Sequence, residues 1–416
     1  MSKLQRVVTL VPRGDLNHNL LPAFMNELGE AFNARGLDHV AIDSNAADFV
    51  SQVMRHAADP HTAIYAGHRF YDLGLVYAEA GGDRRENLFE LLQRPVFARL
   101  ADHPFSKFMW SRIGAASRTT HFLTPTMEFQ AEAQCLNPAL RNFHEVRPSL
   151  TVKPPPEEQV LSLADRPIDI FMPCSFNVTV PSIEDLAAYH EKRRNPMLQV
   201  IKEVLEIAMQ EVDRPIFDAF RAAMERHYGE PFRVGLPLSR ADKEVLVVAS
   251  CMDIKIRTDR RFQVLKSLAK LDPALRIVVT AAPELQKNTD FLRDCANLEF
   301  IGRVDAARAR SLYLDSRFAV NVNPTYVSLV SERVRNAMAF GCCVISDRNS
   351  HIAEVFAEGE EILFMQGWDL GGLNDILCAD SAEAQAIASR GRQRVLSDFS
   401  VAQLADDIIA VMEKVV

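Results

Sequence analysis

Residues 323–347 read NPTYVSLVSERVRNAMAFGCCVISD, a loop, a capped helix and a buried strand in unbroken succession. Ser331 is placed as an N-cap, and Glu332 puts an acid in the first turn, where the helix dipole favours it. Val330, Val334, Ala337 and Met338 recur at i, i+4, i+7 and i+8, which is one apolar stripe of a helix. Gly341 stops that helix. Cys342, Cys343, Val344 and Ile345 then run apolar before Ser346 and Asp347, as suits a parallel strand covered on both faces. A helix start that follows a buried strand is how Rossmann-like domains meet a ligand phosphate. The polar side of the helix carries Glu332, Arg333, Arg335 and Asn336, with Glu332 and Asn336 one turn apart.

Outward from this stretch the chain keeps alternating. VVTLVP (7–12), HVAIDS (39–44), TAIYAG (62–67) and HFLTPT (121–126) read as strands, separated by helical patterns over 19–35, 46–57 and 86–92. Such alternation predicts an open parallel sheet with crossover helices. LTVKPPPEEQVLSLAD (150–165) holds three consecutive prolines and reads as extended, semi-rigid chain. A second series follows: IDIFMPCS (168–175), helices over 184–229, EVLVVAS (244–250) as a strand, a helix over 259–271, then LRIVVTA (275–281), NLEFIGRV (297–304) and FAVNVNP (318–324). The expected organisation is an α/β protein of two Rossmann-like domains: 1–150, a linker over 151–165, 166–381, and C-terminal helices over 382–416 that cross back to the first domain.

Composition narrows the function. The 416 residues, 48% hydrophobic and 25% charged, are globular and too long for one ordinary core. Forty-seven basic against 55 acidic residues give a net charge of −8, and the scatter of the basic ones argues against nucleic acid as a partner. No apolar run approaches the roughly 20 residues that span a bilayer, leaving room only for peripheral membrane contact. Seven cysteines without a C-x-x-C pair suit a reducing, cytoplasmic setting and no metal site. There is no G-x-G-x-x-G and no G-x-x-x-x-G-K-[ST], so neither dinucleotide binding nor ATP hydrolysis in the usual ways is expected.

Ligands of open α/β sheets sit beyond the carboxyl ends of the strands. After EVLVVAS come Lys255 and Arg257, then Asp259, Arg260 and Arg261 at an expected helix start, a basic set suited to a diphosphate. After FAVNVNP come Thr325, Tyr326, Val327 and Ser328, leading to Ser331, Glu332 and Arg333, whose backbone N–H groups would face the ligand while the Glu332 carboxylate accepts from ribose hydroxyls. In the first domain the acid/base candidates are Asp15, His18, His68 and the pair Asp102 and His103, since histidine titrates near neutrality.

SERVRNAMAFGCCVISDRN, followed by HIAEVFAEGEEILF and IASRGRQRVLSDFS, resembles the C-terminal half of nucleotide-sugar-dependent glycosyltransferases of GT-B architecture, and within them the bacterial CgeB-like proteins. The resemblance covers about the last 170 residues well and the first 240 loosely. It implies a donor nucleotide in the second domain, with Arg303 in the loop beside the base, and an acceptor glycan or protein against the first. It also implies a cleft that closes about the linker. The large retaining family of this architecture carries two glutamates eight residues apart; here those positions hold Ser328 and Asn336, with Glu332 between them. No Asp-x-Asp occurs, so a metal-independent transferase without cofactor is expected. Two other readings stay open: a nucleotide-sugar epimerase or hydrolase on the same fold, and a catalytically degenerate nucleotide-sugar-binding subunit.

Overall fold

The computed structural model describes residues 4–11, 20–67, 76–78, 85–106, 109–174, 176, 182–188, 194–230, 232–235, 238–293, 295–378 and 382–416. The chain forms two compact units. The first holds residues 1–151, 232–250 and 401–416; the second holds 152–231 and 251–400.

In the first unit the strands are β1 (Arg6–Val11), β2 (Asp38–Asp43), β3 (Thr62–Tyr65), an antiparallel pair β4 (Val76–Ala78) and β5 (Arg85–Asn87), then β6 (Val96–Arg99), β7 (Thr120–Thr124) and β8 (Asn142–Glu145). Six of them make one parallel sheet in the order β2-β1-β3-β6-β7-β8. β8 was not expected: NFHE alternates weakly, and it is formed by its register on β7, Phe143 beside Phe122. Val7, Phe24, Leu28, Phe32, Tyr65 and Phe97 pack with Leu404, Ile408 and Met412 of the last helix, Val401–Val415, into one core.

The second unit holds β9 (Ile168–Met172), β10 (Ile277–Val279), β11 (Leu298–Phe300), β12 (Ser316–Asn321), β13 (Cys343–Asp347) and β14 (Leu363–Met365), all parallel, in the order β11-β10-β9-β12-β13-β14. Numbered within the unit this is 3-2-1-4-5-6, the order of dinucleotide-binding domains, with its topological switch between β9 and β12. The strands are apolar on both faces: Ile170, Ile277, Phe318 and Cys343 line one face and Phe171, Val278, Ala319 and Val344 the other, all of them buried.

The opening stretch folds as read. Ser331 caps the helix Glu332–Ala339, accepting from the Val334 N–H, and Gly341 takes φ +77° behind it. A Cβ on Gly341 would also stand 2.6 Å from Val160 and 2.8 Å from the Arg166 guanidinium, so glycine is needed for space as well as for conformation.

Three expectations are corrected. EVLVVAS is not a strand but part of a continuous helix, Arg240–Leu268. Its β-branched residues suggest a strand, yet Ser239 and Asp242 form a reciprocal capping box that starts a helix: the Asp242 N–H donates to Ser239 Oγ at 3.1 Å and the Ser239 N–H to Asp242 Oδ2 at 2.9 Å. The chain from 152 onward is not a free linker, because it is fastened to the second unit. The Arg166 guanidinium donates to the Leu161, Tyr313, Ser316 and Phe340 carbonyls, and Arg392 to the Pro155 and Ala339 carbonyls. Of the two C-terminal helices, Ala382–Asp398 stays in the second unit and only Val401–Val415 joins the first. Among the described residues no helix is long and apolar enough to cross a membrane.

Candidate donor and acceptor sites

At the carboxyl ends of β12 and β13 the register sets Asn321 beside Ser346. The Asn321 amide donates to Ser346 Oγ at 2.9 Å and to Asn323 Oδ1 at 3.0 Å, while its own Oδ1 accepts from Ser331 Oγ (3.0 Å) and Arg333 Nε (3.2 Å). Arg333 also donates to the Val322 carbonyl at 3.1 Å. The Asn323 N–H donates to Asp347 Oδ1 at 2.7 Å and its amide to the Asp347 carbonyl at 3.0 Å. These buried bonds fix the chain that leads into the Ser331 cap, so the helix start and the strand ends are one rigid edge.

The long helix supplies the charge. Asp253, Arg257, Arg260 and Arg261 stand at i, i+4, i+7 and i+8, one face of a helix. Asp253 pairs with Arg257 and accepts from Thr325 Oγ1. Arg260 and Arg261 are buried, 3% and 6% exposed. Burial lowers both guanidiniums; Arg261 is brought down to about 10, with Arg333 and then Arg257 adding to the drop. Arg260 donates to the Ala208 carbonyl at 2.5 Å and lies over Trp368. Burial raises the Asp347 carboxyl, opposed by the Asn323 N–H and by Arg260 and Arg333. Four guanidiniums therefore interact in one cluster with two carboxylates, Asp253 and Asp347, at the switch point of the second sheet.

The structure brings together Arg257, Ser331 and Arg333 of the residues singled out from sequence. Glu332 is exposed in the first turn, with the Asn336 amide 3.4 Å from its Oε1. Tyr326 is half-buried, and Arg303 is exposed behind Gly302, which takes φ +73° after β11. Lys255 and Arg257 do not lie in a loop; both are on the long helix, and Lys255 pairs with Asp259 at 3.0 Å. Asp253, Asn321, Asn323 and Asp347 were missed. The i, i+4, i+7, i+8 spacing from Asp253 was the available signal for the first, hidden by the strand assignment upstream.

In the first unit His103 follows β6, and its Nδ1 stands 2.7 Å from Glu132 Oε2 of the helix Glu128–Leu136, both side chains buried. Phe129 and Phe105 pack against the imidazole. Nearby strand ends carry Tyr65 and Arg99. Burial pushes the Tyr65 hydroxyl up to about 12, with Arg99 opposing the rise. Asp102 is exposed. Asp15, His18 and His68 lie outside the described residues. Among the described residues no group of three or more His, Cys, Asp or Glu is placed to hold a metal ion.

Residues 259–410 match the family described as glycosyl transferase-like. No curated protein matches the chain. Among solved structures, Anabaena Alr3699/HepE in complex with UDP-glucose is similar at 10% identity and a TM-score of 0.52, covering 98% of this chain and 99% of that one. A point mutant of T4 phage BGT in complex with UDP-glucose gives 10% identity, a TM-score of 0.50 and the same coverage. At this identity the likeness shows the fold. The chain thus has the GT-B glycosyltransferase fold, and its residues 259–410 are similar in sequence to a glycosyl transferase-like family.

Proposed function

We propose that the protein is a glycosyltransferase that moves a sugar from a nucleoside-diphosphate sugar to a hydroxyl of a glycan or protein. The observation that carries this reading is the arginine cluster of the second unit. Among the described residues Arg257, Arg260, Arg261 and Arg333 gather with Asp253 and Asp347, and two of the four are almost fully buried. Guanidiniums held in place by burial are preorganised for an anion that reaches them. A diphosphate supplies two or more negative charges, and guanidinium forks suit its oxygens. On this reading the cluster takes the leaving-group charge that a divalent cation carries elsewhere, so transfer proceeds without metal.

Glu332 sits in the first turn of the helix that faces the site, exposed and able to accept from the ribose hydroxyls. The first unit would serve the acceptor. His103 is the proposed base, with the Glu132 carboxylate 2.7 Å from its Nδ1 to orient the ring. The finer likeness to bacterial CgeB-like proteins belongs to the same reading, as does a cytoplasmic setting, with which seven free cysteines agree.

Anabaena HepE and T4 phage BGT were captured with UDP-glucose, so UDP is the first nucleotide to try. The test is thermal denaturation with UDP, GDP, dTDP, CMP and ADP in wild type and Glu332→Ala, with and without EDTA. A ligand at 100 times its Kd adds about 2.7 kcal/mol of stability. One nucleotide raising the midpoint in wild type, less in the variant and equally in EDTA is the expected result. No shift with any nucleotide sinks the donor assignment. Binding without turnover of the matching sugar nucleotide under any acceptor would instead favour the degenerate binding subunit that Ser328 and Asn336 suggest.

A further inference from the structure

The second unit has a concavity at the edge of its sheet opposite the arginine cluster. A groove of about 770 Å³ runs between the chain at Val160, Leu161 and Ser162 and the helix Ala382–Asp398, with Gly341 at its base. Gly341 precedes β13, whereas the arginine cluster lies beyond the other end of that sheet. Five residues of strand separate the two edges by about 16 Å.

The lining has an unusual composition for a helix surface. Gln385, Ser389, Gln393 and Ser397 recur every four residues and face the groove. Solvent faces of helices usually carry charge, and this helix does so at Glu383, Arg390, Arg394 and Asp398, outside the groove. Within it, the charged residues are Arg392 and Glu157, and they pair with each other. Arg392 is further committed to the Pro155 and Ala339 carbonyls. The groove therefore offers amides and hydroxyls and no unbalanced charge. Leu161, 45% exposed, and Leu396 add aliphatic surface. Three of the four ladder residues are anchored: Gln385 Oε1 accepts from the Leu163 N–H at 2.7 Å, Ser389 Oγ donates to the Gln385 carbonyl at 2.9 Å, and Ser397 Oγ donates to the Arg394 carbonyl at 3.0 Å. Exposed Gln393 makes no protein hydrogen bond among the described residues.

We infer that this groove binds a neutral glycan chain. Amides and hydroxyls donate and accept at one position, as sugar hydroxyls do, and the ladder repeats about every 6 Å along the helix axis. Aliphatic side chains meet the C–H faces of the rings. An anionic polymer finds no cation here to offset its desolvation. Resting on the transferase reading, the inference assigns the groove a remote stretch of acceptor or product glycan, held away from the reacting hydroxyl.

The test is affinity electrophoresis of the full-length protein in gels containing amylopectin, dextran or galactomannan, with alginate and heparin as anionic counterparts. Ser389→Trp fills the groove and Gln393→Ala removes its free amide. At least one neutral polysaccharide should retard the wild type, with an apparent Kd about tenfold higher for Ser389→Trp and severalfold higher for Gln393→Ala. The UDP-induced thermal shift should be the same in all three proteins, which shows that the variants are folded. Retardation by no neutral gel, by anionic gels alone, or equally in the variants overturns the inference. So does self-association of the wild type, seen by sedimentation, that Ser389→Trp abolishes, since the groove would then be a contact between copies. No shift with any of the five nucleotides, with neutral retardation intact, defeats the donor reading and leaves the groove standing.

Discussion

Arg261 is where stability and ligand binding should pull in opposite directions. Its guanidinium, 6% exposed, is brought down to about 10 from 12.5 by burial and by Arg333. A base whose folded value is depressed stabilises the fold less in its charged form, so the penalty is present at neutral pH and is relieved only as pH climbs past about 10. Arg261→Gln removes that penalty along with the proposed diphosphate contact. Without nucleotide the variant should melt at or above the wild-type temperature, and its UDP affinity should fall at least about tenfold. A variant that is clearly destabilised without ligand would show that the cluster is already balanced inside the protein. Asp347→Asn is the converse case. It strips an acid from Arg260 and Arg333 but also relieves the burial that raises its own carboxyl, so the loss of stability should stay below the roughly 3 kcal/mol of a broken buried pair, read by urea unfolding. At this scale the sequence was half legible: the Ser331 cap and Arg333 follow from local chemistry, but the burial of Arg260 and Arg261 depends on packing that no local pattern records.

The long helix shows why an element can be misread while its neighbours are not. Val245, Leu246, Val247 and Val248 have strand propensity, and most are buried, so neither preference nor apolarity argues against a strand. The decision lies at the end of the element, in the Ser239 and Asp242 capping box. Ser239→Ala should therefore cost about 1 kcal/mol, a fall in Tm of about 2–4 °C. β7 and β8 carry a different test. His121 Nδ1 and His144 Nε2 stand 2.9 Å apart on neighbouring strands, with the rings stacked at 5.2 Å. Burial and then His144 lower His121 to about 4; burial and then Lys414 of the last helix lower His144. The unfolded chain takes up protons near 6.5 and the folded one only near 4, so this stability is whole above pH 6.5 and is lost as pH falls toward 4. Thermal midpoints should drop across that window, and His121→Phe should flatten the drop. An unchanged slope in the variant would assign the acid sensitivity to other groups.

At the scale of the whole molecule, the two sheets were legible because strand and helix patterns alternate along most of the chain, and alternation fixes parallel crossovers. Which segments belong to which unit was not, because membership is set by side-chain packing and not by chain order. Residues 232–250 and the last helix rejoin the first unit after parts of the second have been built. The last helix holds on chiefly through Leu404, Ile408 and Met412, all fully buried in the core of the first unit. Arg35 with Asp406 and Arg147 with Asp407 are exposed pairs worth little by comparison. Each unit has its own core, so a cavity should destabilise the unit that contains it. Leu404→Ala should cost about 2–5 kcal/mol in the first unit, and scanning calorimetry should show one transition moved down and another left in place. Saturating UDP should raise the transition that Leu404→Ala leaves in place, because the arginine cluster belongs to the second unit. Val344→Ala, in the buried centre of β13, should do the reverse and lower the transition that UDP raises. If both substitutions instead lower a single transition by the same amount, the units unfold as one, and the division of labour between them has to be sought in binding and not in stability.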